Sequence, residues 1–207
     1  MNQMQKQLLR NSDFRNTVQR VLSKRYDNRS FVYYLDSKDR IVCIDNSFTE
    51  FALENSAGSL MQDVEFSNIW QYISGKGVRY IYRELFKEIR ESSREIEFPF
   101  RCDSPYEKRF MKMKMIPLTE GKIGFISHLI RTERYETQNR LLDMHLERDS
   151  RHILMCSWCK AIEISMEKKK EWVDIEKGIE YYRLFAEKRM PAISHGICPD
   201  CASQFKI

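Results

Sequence analysis

The stretch RFMKMKMIPL (residues 109–118) changes chemistry at every step: Met111, Met113 and Met115 fall on one side of an extended chain, Lys112 and Lys114 on the other. A strand sends successive side chains to opposite faces, so the pattern predicts a β-strand with one face in a core and one in water. Its neighbours read the same way. IEFPFRCD (96–103) precedes it, and IGFISHLI (123–130) follows it across a hairpin turn, TEGK. Far upstream, FVYYLD (31–36), the polar turn SKDR and IVCID (41–45) make a further strand, turn and strand.

Helices are expected between the two strand groups. SFTEFALENSA follows a cap at Asn46 or Ser47, with Glu50 placed as in a capping box after Ser47. SNIWQYIS suggests a short helix. GKGVRYIYRELFKEIRESSRE carries Val78, Ile81, Tyr82, Leu85, Phe86 and Ile89 on one stripe, which predicts a long amphipathic helix. The order is two strands, a run of helices and three strands, an α+β pattern. The interior should be lined by Phe31, Tyr33, Trp70, Tyr82, Phe98, Phe100, Met111, Met113, Met115 and Phe125. A filled core and an apolar sensor pocket both fit that lining.

The flanks read as helices. Residues 3–25 place Met4, Leu8, Val18, Val21 and Leu22 near one face, as for a helix lying on its own domain or a dimer contact. RTERYETQNRLLDMHLERDSRHILM, from Arg131, brings Tyr135, Leu142, Leu146 and Ile153 to one seam, interrupted by Asn139 and Asp149. A short parallel coiled coil is expected there, with a single helix packed back on the sheet as the alternative.

Six cysteines occur in a chain whose first residues, MNQMQKQLLRNSDF, have no apolar signal-peptide core. A cytoplasmic, reducing setting is expected, which disfavours structural disulfides. CSWC and CPDC place Cys156, Cys159, Cys198 and Cys201 as C-x2-C, 38 residues, C-x2-C. A two-residue gap lets both thiolates of a knuckle face one ion, and two knuckles close a tetrahedral site of four sulfurs. Structural zinc is the expected occupant, against a thiol switch or a single-iron site. Single-iron sites favour Gly after each knuckle, where this chain has Lys160 and Ala202. The spacer must carry structure of its own: IEI as a strand, part of 171–189 as helix and Trp172 as a core residue. His195, three residues before Cys198, is a candidate to stand behind the ligands with a ring N–H, or to replace one of them. His152 is a weaker candidate. Cys43 and Cys102 read as buried thiols packing as small hydrophobes. Arg101, Asp103 and Ser104, at a strand end, form either an internal salt bridge with a turn cap or a ligand contact.

Net charge is +5 with acids and bases mixed along the chain, and 31% of residues are charged. This weakly permits nucleic acid and does not argue for it. The run at 168–170 is flanked by Glu167 and Glu171 and reads as a solvated turn. No stretch approaches a membrane span. Phosphate-loop, nucleophile-elbow and zinc-protease motifs are absent, as is C-x-x-C-H.

The order of elements over residues 30–130 resembles a PAS sensor domain, a five-stranded antiparallel sheet with helices on one face. Thr132-Glu133-Arg134 resembles the exit of such domains into a signalling helix, without the preceding aspartate. PFRCDSP (99–105), MKMKMIPL (111–118), CSWCK (156–160) and SHGICPDC (194–201) are similar to words in bacterial PAS-like proteins with a cysteine-rich tail. The resemblance implies a sensory or regulatory module and names no biochemical activity. The expected organisation is a helix over 1–28, a PAS-like domain over 29–130, a linker helix over 131–154 and a four-cysteine zinc lobe over 155–207. Function is expected to be non-catalytic signalling, with a homodimer, an unidentified protein partner and an unidentified small ligand of the PAS-like domain. A redox or metal sensor and a nucleic-acid adaptor are the competing classes.

Overall fold

The computed structural model describes residues 30–54, 64–166 and 169–205. The helix expected over residues 1–28 lies outside them. Strands β1 (Ser30–Leu35), β2 (Ile41–Ile44), β3 (Ile96–Arg101), β4 (Glu107–Pro117) and β5 (Ile123–Arg134) form one antiparallel sheet of five strands in the order β2-β1-β5-β4-β3. Helices α1 (Asn46–Glu54) and α2 (Lys76–Ser92) cover one face. This is the PAS-like, α+β arrangement expected.

Local chemistry explains each element. Asp36 Oδ1 accepts from the amides of Lys38 and Arg40, both at 2.9 Å, and turns the β1–β2 hairpin. Asp45, rather than Asn46 or Ser47, caps α1: its Oδ1 accepts from Phe48 N at 2.7 Å. SNIWQYIS contributes only one tight helical turn, Ile69–Gln71. Helix α2 buries Val78, Ile81, Leu85, Phe86 and Ile89 and ends where Ser93 turns left-handed at φ 53°. On β4 the three methionines are buried, while Lys112 and Lys114 pair with Glu97 and Glu95 on the other face. Phe31, Phe98 and Phe125 are buried as expected; Tyr33, Trp70, Tyr82 and Phe100 are partly buried against the same core.

The linker helix over 131–154 does not form, and neither does the coiled coil. β5 continues through Arg134, paired with an equally extended β4, and opposite charges lie across from each other at Lys108↔Glu133 and Glu107↔Arg134. A single helical turn, Arg140–Leu142, follows, and then β6 (Arg148–Cys156). Of the supposed seam, Tyr135 and Ile153 are buried, with Leu142 and Leu146 beside them, in a second core.

That core belongs to a mixed sheet of β6, β7 (Ile162–Met166), β8 (Lys169–Val173) and β9 (Met190–Gly196), in the order β8-β7-β6-β9. β9 runs parallel to β6, so the crossover between β8 and β9 carries a helix, α3 (Ile175–Tyr181). Gly178 lets α3 sit close on β7, where an added Cβ would come within 2.8 Å of Ile162 Cβ. The cysteine lobe therefore begins at Arg148, ahead of the expected boundary at 155. The last element among the described residues is α4 (Pro199–Ala202). Among the described residues no helix is long and apolar enough to cross a membrane.

Candidate metal centre

Cys156 ends β6 and Cys159 lies in the turn before β7; Cys198 caps α4 and Cys201 lies within it. The first turn closes by Lys160 N donating to Cys156 O (3.0 Å) and Cys156 N to Ala161 O (2.8 Å). Lys160 takes a left-handed backbone, φ 66°, to do so. Ser157 N donates to Gly196 O at 2.9 Å, which ties this turn to the end of β9, immediately before the second pair.

The four sulfurs lie within 4.8 Å of one another. Sulfurs around a tetrahedral zinc would be about 3.8 Å apart, given Zn–S near 2.3 Å. Cys159 Sγ and Cys198 Sγ are 3.6 Å apart, too far for a disulfide and right for two ligands of one ion. Backbone amides point at the sulfurs: Cys198 N donates to Cys156 Sγ and Cys201 N to Cys198 Sγ, both at 3.4 Å. Hydrogen bonds from the Cys159 and Cys201 thiols hold Cys156 far below the usual thiol range. The same contacts push Cys159 up to about 12 and Cys201 higher still. Four thiolates this close would repel one another unless a cation lay among them. A divalent ion would remove that conflict, and the soft set of four sulfurs fits one.

The centre is built into the first sheet's core. Trp158, between two ligands, is 3% exposed. Its ring stacks on Tyr82 of α2 at 5.5 Å and meets Phe205 at 5.1 Å, while Phe98 of β3 packs on Phe205 at 5.2 Å. At the start of α2, Gly75 (φ 87°) passes so near β9 that a Cβ there would lie 2.3 Å from His195 O. These contacts were not legible in the cysteine spacing. Nothing in CSWC tells what Trp158 packs on, and Gly75 stands at the head of a stretch read only as a helix. Trp172, the expected core residue, is only partly buried.

His195 is exposed and is not among the converging groups; its backbone pairs with Met155 in the β6–β9 ladder. His152 meets Ser194 Oγ at 3.3 Å on the surface. Cys43 and Cys102 are free thiols, both partly exposed, and burial raises the pKa of each.

Arg101 joins Asp103 to the centre, while Ser104 serves the β3–β4 turn. The Arg101 guanidinium forks onto the Asp103 carboxylate, whose side chain is wholly buried. Tyr135 donates to Asp103 Oδ2 at 2.7 Å, and Arg109 N donates to Oδ1 at 3.1 Å. Arg101 also reaches the first knuckle: its backbone N donates to Trp158 O at 2.6 Å and its Nη1 to Cys159 O at 3.3 Å. Ser104 Oγ accepts from Glu107 N at 3.1 Å and closes the β3–β4 turn. Behind that turn opens a cleft of about 920 Å³, walled by Phe31, Phe51, Phe100, Cys102 and Met111, with Met144 and His145 at its edge.

No family model and no curated protein matches the chain. Among solved structures, a domain of an HTR-like protein from Haloarcula marismortui aligns at TM-score 0.35 and 12% identity, covering 50% of this chain and 99% of that one. A sensory box sensor histidine kinase/response regulator domain from Geobacter sulfurreducens aligns at 0.35 and 10%, covering 57% and 97%. PAS-B of Drosophila melanogaster Cycle aligns at 0.31 and 14%, covering 51% and 99%. The first sheet is PAS-like in its strand order, β2-β1-β5-β4-β3, and in its one-sided helices.

Proposed function

We propose that the chain is a non-catalytic signalling or regulatory protein, in which a PAS-like sensor unit is joined to a lobe held by one structural zinc ion and presents that lobe to a protein partner. The observation that carries this reading is the convergence of Cys156, Cys159, Cys198 and Cys201 around one point, with three of the four buried. A thiolate set closed in this way holds its ion and leaves no open position for substrate. Trp158 and Phe205 join the lobe to the sensor unit by direct packing, so a signal need not travel through a linker helix. A homodimer and a cytoplasmic setting belong to the same reading. Native mass spectrometry with metal analysis of the purified chain tests it: one zinc per chain is expected. A metal-free chain, bound iron or an oxidised cysteine pair would overturn it.

A thiol-based sensor is the second reading, favoured by the partial exposure of Cys159, 3.6 Å from Cys198. Zinc release and a change of oligomeric state under mild peroxide would support it.

A further inference from the structure

We infer that the cleft and the metal centre are coupled, with residues 100–109 as the shared wall between them. This rests on the reading of the cysteine cluster as a metal site. Consecutive residues of the segment face different ways. Phe100, Cys102, Asp103 and Ser104 line the cleft, as do Arg109 and Met111 beyond them. Arg101, between them, turns to the knuckle and holds the carbonyls of its last two residues, Trp158 O through the backbone and Cys159 O through the side chain. The wall and the knuckle grip are the same ion pair seen from two sides. Asp103 takes both arms of the Arg101 fork while its own residue lines the cleft. The guanidinium further reaches Asp174, which caps α3 in the second sheet's crossover, at 3.5 Å.

A buried fork of this kind has few ways to move. The Asp103 carboxylate accepts from Arg101, Tyr135 and Arg109 at once, so shifting it displaces Arg101 with it. Whatever fills the cleft and presses on Phe100 or Asp103 alters the hydrogen bonds that shape the turn between Cys156 and Cys159. By linkage, opening that turn on metal loss alters the cleft equally. Cleft occupancy thus sets how firmly the lobe holds its ion.

A double-mutant cycle on the zinc-loaded full chain tests this. The cleft is filled from the α1 side by Ala52→Trp and, independently, from the β5 side by Ser127→Leu; both residues line it. The wire is weakened by Arg101→Lys, which keeps a charge beside Asp103 and removes the arm that reaches Cys159 O. The readout is the rate at which excess chromophoric chelator strips zinc. With at least one filling variant folded by circular dichroism, its rate should differ from the parent's by about fivefold or more. In the Arg101→Lys background the same filling should change the rate by less than about twofold. A rate unchanged by filling, or changed equally in both backgrounds, overturns the coupling while leaving the zinc site standing. Failure of the parent to hold zinc overturns the site and the coupling together.

Discussion

Lys160 keeps a backbone conformation that a Cβ disfavours, φ 66°, and its Nζ donates to Ser157 O at 3.0 Å. Lys160→Gly removes the strain but frees the unfolded chain, so its stability should stay within about 1 kcal/mol of the parent in urea unfolding. Lys160→Val should lose about 1–3 kcal/mol, because a branched side chain fits that region worst. Asp103 poses a larger problem if its partner goes: Arg101→Met strands a buried carboxylate and should cost about 3–5 kcal/mol, with Asp103→Leu in the same chain restoring much of it. Several tyrosines answer to pH. Burial raises Tyr135 and Tyr33 well above the ordinary value and Tyr82 to about 12, and the hydrogen bond to Asp103 adds to Tyr135. Raised folded values mean that their stabilising effect is complete below the ordinary tyrosine pKa near 10 and is lost as pH climbs toward the folded values. Stability should therefore fall steeply above about pH 10, and absorbance at 295 nm should show these rings ionising late or only on unfolding. The four ligands were readable because spacing alone brings two sulfurs to one point. Trp158 was not, and Tyr135 only as an apolar position, because what makes them matter is a neighbour far along the chain.

Helix α2 enters against β9 through two glycines with opposite expectations. A Cβ on Gly75 would strike His195 O at 2.3 Å, at φ 87°, whereas on Gly77 it would meet only Ile197 Cγ2, at 3.8 Å. Gly75→Ala should destabilise by about 2 kcal/mol or more, and Gly77→Ala should stabilise by roughly 0.5–1 kcal/mol through helix propensity, both read from urea midpoints. The strands of the first sheet were legible because period-two alternation needs no partner to be seen. The extension of β5 was not. RTER has no apolar alternation and reads as a good helix, yet its charges meet those of EKRF across the ladder, and pairing overrides propensity. Tyr135 and Ile153, which helical spacing assigns to one seam, reach the second core from a loop and a strand. Spacing reports that they are buried but not by what.

One apolar core runs from α2 and β3 into the cysteine turns, with Phe86, Phe98, Trp158, Cys156, Cys198 and Phe205 in a single cluster. The two sheets should therefore unfold in one calorimetric transition. Chelating the metal under reducing conditions should lower its midpoint by about 6–12 °C, as loss of roughly 3 kcal/mol would in a chain of this size. It should also erase the near-ultraviolet signal of the Trp158–Tyr82 stack. Trp158→Ala should cost about 3–5 kcal/mol and speed metal loss, although Trp158 offers no ligand atom. The order of these pieces along the chain has a consequence for biosynthesis. The five-stranded sheet is complete in sequence at Arg134, but the aromatic rings that cover Tyr82 and Phe98 arrive with Trp158 and Phe205, on either side of the second ligand pair. A nascent chain folding from its N-terminus must carry that apolar face uncovered until the second cysteine pair leaves the ribosome. Ion capture would then mark completion of the described fold, and chains stalled before Cys198 would show chaperones and proteases a surface that finished ones hide.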